Sequence, residues 1–176
     1  MLGGETIRTD YLLQQQLDLV LAALTPANRL ICRVMLHTGL RVGDVVALPL
    51  CSVKRNFTVR EAKTGKSKRC GLPDALAAEI RAQAGAGPWA FPSPRDPAKH
   101  RTRQAVWKDI KRAQRAFRLP INAGTHSLRK AYAVELLRKY GDVERVQRAL
   151  NHEYLSTTIL YCMADKLTET ARKRRA

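Results

Sequence analysis

Residues 104–118, QAVWKDIKRAQRAFR, leave this chain few ways to fold. At 100° per residue, Val106, Ile110, Ala113 and Phe117 fall within about 60° of arc, while Lys108, Lys111, Arg112, Arg115 and Arg118 occupy the opposite face. Such a stretch is a helix that buries one side in a core and leaves the other to water. A charged face is usually only solvated. Here a single acid, Asp109, stands among five bases, which points to phosphate contact.

The neighbouring stretches supply partners for that helix. Apolar residues recur at helical spacing over 12–24, and Thr25-Pro26 reads as an N-cap followed by proline in the first turn of a second helix, which ends at Gly39. A short helix over 42–48 stops at Pro49. The pattern then changes: NFTVREAK and SKRCGLP form two short strands around Thr64-Gly65-Lys66, a hairpin with a basic tip. Pro73-Asp74 opens a helix through about residue 84, and GAGPWAFPSPRDP is a loop. Helices follow near 127–139, 143–150 and 157–164. The expected fold is mainly α with a small antiparallel β-sheet, an α+β class.

At 176 residues and 45% apolar content the chain fits one domain, placed at 1–165, followed by a basic C-terminal tail at 166–176. No run approaches the roughly 18 apolar residues of a bilayer span, and MLGGETIRTDY lacks a signal pattern, so a cytoplasmic location away from membranes is expected. Cys32, Cys51, Cys70 and Cys162 form no CxxC pair, which argues against zinc and disulfides and reads as reduced thiols. The net charge of +17 is confined to three segments. Residues 54–69 carry seven Lys/Arg against one acid, 95–118 nine against two, and 166–176 five against one, and the rest balances. An excess so localised suits a polyanion, because Lys and Arg on phosphates release counterions. Nucleic acid is the expected partner, ahead of an acidic protein or mere solubility, with a nucleoid-associated location.

The chemistry is narrowed by what the sequence lacks. The acids form no DxD-like cluster for magnesium, and the glycines form no phosphate-cradling loop. Cutting nucleic acid without metal or ATP requires a side-chain nucleophile, cations for the developing charge and a proton donor for the leaving oxygen. In GTHSLRKAYAVELL, Thr125 can cap a helix whose first turns carry His126 and Arg129 on one face. Arg41 follows the helix-ending Gly39, where an arginine can equally be a plain cap. In LNHEYLSTTILY, Tyr154 and Tyr161 are rival hydroxyls near His152.

Together HTGLRVGDVVAL, THSLRKAYA and LNHEYLSTTILY resemble, in sequence and order, the motif boxes of the tyrosine recombinases, the phage integrase family. The nine residues from His152 to Tyr161 match the family's separation between its second histidine and its nucleophile. The resemblance runs from about residue 12 to 164 and implies the catalytic-domain fold of that family. It implies a site-specific DNA recombinase acting through a 3′-phosphotyrosyl link, with no cofactor and no metal, on double-stranded DNA in a synaptic tetramer. Arg41 and Arg129 would hold the scissile phosphate, His126 would act as acid/base partner and His152 would donate to the phosphate. Lys63, with Lys66 as the alternative, would protonate the leaving 5′ oxygen; Asp44 would buttress the site and Tyr161 would attack. Lys66, Lys68, Arg69, Lys108, Lys111, Arg112 and Arg115 are the expected DNA contacts.

A phenol titrates near 10, so Tyr161 needs such cations or a base to act at neutral pH. A phosphotyrosyl ester keeps the energy of the broken bond, so rejoining needs no ATP. The stretch before Leu12 is too short for the N-terminal clamp domain of most family members, so a catalytic domain cut from a longer protein or a naturally short form is expected. Two other activities remain open: nicking and closing like a type IB topoisomerase, and a DNA-binding module that keeps the fold without recombining.

Overall fold

The computed structural model of the chain describes residues 9–151. In chain order these form α1 (Gln14–Ala23), α2 (Pro26–Thr38), α3 (Val42–Val46), β1 (Asn56–Arg60), β2 (Ser67–Gly71), α4 (Asp74–Ala84), α5 (Arg103–Ala116), α6 (Thr125–Tyr140) and α7 (Val143–Leu150). The mainly helical architecture with one small sheet is the expected one. The helix expected at 157–164 and the basic tail at 166–176 lie outside the described residues.

α2 is the central rod, packed by α1, α3, α4, α5, α6 and β2. Its sequence explains this position: Ile31, Cys32, Val34 and Met35 bury several faces at once, as a helix surrounded by others must. Proline opens it, and Gly39 closes it at φ +64°, a left-handed backbone that disfavours any side chain. Glycine is needed there for a second reason. A Cβ on Gly39 would lie 2.4 Å from the Tyr132 ring of α6.

α5 buries Val106, Ile110 and Ala113 as its periodicity predicts. Full burial of Val106 and Ile110 stabilises by roughly 2 kcal/mol each. Two details differ from expectation. The helix ends at Ala116, so Phe117 becomes its C-cap and stays 41% exposed instead of packing. Asp109 does not join the solvated basic face; it is buried and accepts hydrogen bonds from Thr25 N (2.9 Å), Thr25 Oγ1 (2.9 Å) and Asn28 Nδ2 (2.8 Å). Thr25 therefore donates its hydroxyl to α5 and makes no side-chain cap on its own helix.

The hairpin pairs β1 and β2 antiparallel, with Phe57 opposite Cys70 and Val59 opposite Lys68. Alternation turns Phe57, Lys68 and Cys70 inward. α6 starts two residues before the expected position: Gly124 is its N-cap, its N–H donating to Ser127 Oγ at 3.2 Å, and Thr125 is the first helical residue. α7 opens on Asp142, whose carboxylate accepts the Arg145 N–H at 3.0 Å. Ala133, Val146 and Leu150 make a second small core between α6 and α7. Among the described residues no helix is long and apolar enough to cross a membrane.

Candidate active site

Three turns meet beside the end of α2. The first is the Gly39 turn, which sends the chain in extended form through Arg41, the N-cap of α3. The Arg41 side chain keeps about a fifth of its surface open, and its guanidinium donates from Nη1 to Glu61 Oε2 at 2.9 Å. One helical turn on, buried Asp44 accepts the Ala62 N–H at 2.9 Å, which fastens the hairpin to α3.

The second turn joins β1 to β2. Glu61 N–H donates to Lys66 O at 3.0 Å and Gly65 N–H to Glu61 O at 2.8 Å, with Gly65 at φ +67°. This closes a tight tip that displays Lys63 and Lys66 to solvent. Glu61 itself is fully buried. Its Oε2 also accepts from Thr64 Oγ1 at 2.8 Å, and its Oε1 lies 4.0 Å from Arg129 Nη1. Burial alone would raise the Glu61 carboxyl, yet Thr64, Arg41 and Asn151 together hold it below the usual carboxylate range.

The third is the start of α6. Its first turns place His126 at the surface and Arg129 inside, 3% exposed. Arg129 donates to the carbonyl oxygens of Gly39 and Leu150, so it ties the α2 turn to the end of α7. The next residues along the chain are Asn151 and His152. Desolvation lowers the His126 pKa, and Arg129, Arg41, Lys130 and Lys63 push it further in the same direction. Its imidazole is therefore neutral at pH 7 and able to accept a proton. Arg41, Lys63 and Arg129, from three separate stretches of sequence, all bear on His126, and Glu61 stands between Arg41 and Arg129.

Several expected contacts lie elsewhere. Lys68, expected to face DNA, is 8% exposed. Its Nζ donates to Thr38 O at 2.5 Å, stands 5.4 Å from the Tyr132 ring centroid, and has its pKa brought down to about 8, chiefly by burial. The alternation of β2 explains the difference, since Lys68 shares its inward face with Cys70. Lys111 is half-buried, its ammonium on Gln114 Oε1 (2.9 Å) and Asn122 Oδ1 (2.5 Å). Arg112 forks onto Asp109 Oδ1 (2.9 and 2.6 Å) and reaches Ala23 O, with its side chain 55% exposed. Lys66, Arg69, Lys108 and Arg115 are exposed. His152, Tyr154 and Tyr161 lie outside the described residues. Sequence reasoning missed Glu61, although it is the one acid among the seven bases of residues 54–69.

Residues 10–167 match the phage integrase family. The chain belongs to that family. The integrase of Escherichia phage P2 is 31% identical over 161 residues, covering 91% of this chain and 44% of the relative. Tyrosine recombinase XerD of Bradyrhizobium diazoefficiens is 34% identical over 154 residues, covering 77% of this chain and 48% of the relative. The chain thus spans about half the length of these relatives. Its fold is also that of solved phage integrase family members. The XerA recombinase superposes with a TM-score of 0.74 at 21% identity, over 98% of this chain and 66% of that one. A lambda integrase dimer bound to a COC′ core site gives 0.74 at 20% identity, over 90% and 49%.

Proposed function

We propose that this chain is the strand-cleaving and rejoining unit of a site-specific DNA recombinase, acting through a 3′-phosphotyrosyl intermediate. The observation that carries the reading is the convergence of Arg41, Arg129, His126 and Lys63 on one small region. Two guanidiniums suit the non-bridging oxygens of a phosphodiester and the charge that builds on them during attack. Neutral His126 takes part in moving the phenol proton of Tyr161, and His152 donates to the phosphate. Lys63, exposed at the tip of the hairpin, gives a proton to the leaving 5′ oxygen. Asp44 keeps the hairpin and α3 in register.

Exposed Lys66, Arg69, Lys108 and Arg115 contact the duplex backbone. Exchange between two duplexes requires self-association on DNA as a synaptic tetramer, in the cytoplasm at the nucleoid. The relatives named integrase and tyrosine recombinase, and the solved lambda integrase on its core site, support the reading.

The test uses nicked duplexes with randomised arms, incubated with the chain and resolved on a denaturing gel. A covalent adduct is expected with the wild type and with Tyr154→Phe, and none with Tyr161→Phe. An adduct that survives Tyr161→Phe overturns the assignment of the nucleophile. No adduct from any duplex overturns the reading in favour of a binding module, and adducts that reseal only in place point to nicking and closing.

A further inference from the structure

Glu61 is a fully buried carboxylate with no part in the chemistry just assigned. It stands where a phosphate binder would be expected to tolerate no anion. Oε2 accepts from Arg41 Nη1 at 2.9 Å and from Thr64 Oγ1 at 2.8 Å, and Oε1 faces Arg129 Nη1 at 4.0 Å. Its main chain closes the turn that carries Lys63, through the Glu61 N–H to Lys66 O and the Gly65 N–H to Glu61 O. One side chain therefore touches or faces both arginines and the lysine loop.

Two guanidiniums held side by side in a buried setting repel, and without a counter-charge each would swing toward water. The Glu61 carboxylate removes that tendency when no DNA is bound. Because Arg129 is also fixed by Gly39 O and Leu150 O, the partner that depends on Glu61 for its position is Arg41. A carboxylate in this position also opposes simple tightening on phosphate. It favours geometry over affinity.

We propose that Glu61 is a positioning residue for strand cleavage: by accepting from Arg41 and Thr64 while its other oxygen faces Arg129, it sets the two guanidiniums and the Lys63 turn in their reactive arrangement before DNA arrives. This rests on the strand-transfer reading above. Glu61→Gln keeps the shape and one acceptor oxygen but loses the charge. It is expected to cleave at least tenfold more slowly in single turnover at saturating protein, on a duplex recovered from the adduct selection. Its Kd for that duplex should stay within threefold of the wild type or tighten. Glu61→Asp, which keeps the charge on a shorter arm, should recover part of the rate.

A residue that only stabilised the fold would lower the melting temperature and leave the rate of the folded enzyme alone. The role is overturned if Glu61→Gln cleaves within twofold of the wild type, or if its loss is entirely in Kd. Should Glu61→Gln fail to fold, Thr64→Val decides instead. It removes only the hydroxyl on Oε2, and a slowing of threefold or more with unchanged Kd is expected, whereas an unchanged rate overturns the role. A wild type without any adduct overturns both the role and the reading beneath it; a wild-type adduct with an equally fast Glu61→Gln overturns the role alone.

Discussion

Lys68→Met should abolish a gain in stability that the buried lysine contributes above pH 8. The Lys68 ammonium is buried on Thr38 O beside the Tyr132 ring, and its pKa falls from 10.5 to about 8, mainly through burial. Below pH 8 folded and unfolded chains both hold the proton, and folding carries the full cost of burying the charge. Between pH 8 and 10.5 the folded chain has lost the proton and the unfolded chain keeps it, so stability rises with pH across this window. At about 1.4 kcal/mol per pH unit the gain approaches about 3 kcal/mol. The neighbouring Cys70 thiol is pushed up by burial, so the unfolded chain loses that proton first and its effect on stability runs in the opposite sense. Urea unfolding is therefore compared for Cys70→Ser with and without Lys68→Met, at pH 7.5, 9 and 10.5. The lysine-bearing protein should gain about 3 kcal/mol on the methionine protein from the lowest to the highest pH. Parallel curves would refute the burial argument.

Gly39→Ala should destabilise by about 3 kcal/mol, from the left-handed backbone and the collision with Tyr132; a change under about 0.5 kcal/mol in urea unfolding counts against that packing. Asp109→Asn should cost about 2 kcal/mol at pH 7 and flatten the acid limb of stability. Burial would raise this carboxyl, but Asn28, Thr25 and Arg112 hold it low, so its contribution is present above about pH 4 and lost as the pH falls further. An unchanged acid limb in a pH series of thermal melts argues against it. Four phosphate contacts from Lys66, Arg69, Lys108 and Arg115 predict an affinity loss of about a hundredfold between about 50 and 200 mM salt. A flat salt plot removes DNA as the reason for the basic surface.

Element boundaries were legible where the chain carries punctuation. Pro26 and Gly39 bracket α2, and the Thr64-Gly65-Lys66 tip separates the strands, as the sequence predicts. The grouping of Arg41, Lys63, His126 and Arg129 was legible only through resemblance, because nothing in local spacing brings residue 41 beside residue 129. What the sequence reading misplaced are charged residues with inward positions. Lys68 alternates with exposed Ser67 and Arg69, and Asp109 falls three residues after Val106 and four before Ala113, on the buried stripe of α5. Both periodicities were visible, but a charged side chain was assumed to face water. In each basic segment the rare acids are informative, since an anion kept among cations has partners to satisfy.

Asp109 fastens the first turn of α2 to α5, and the other end of α2 runs through Gly39 into Arg41. That helix has 13 residues, about 20 Å at 1.5 Å per residue. On the proposed reading it works as a calliper: one jaw is the basic side of α5, the other the arginine on the cut phosphate. Base pairs stack about 3.4 Å apart, so the helix axis between the two jaws is about six of them long. Lengthening α2 by one turn would open the calliper by about 5 Å, more than a base pair, and would pull the Gly39 turn and Arg41 away from the elements that pack around the helix.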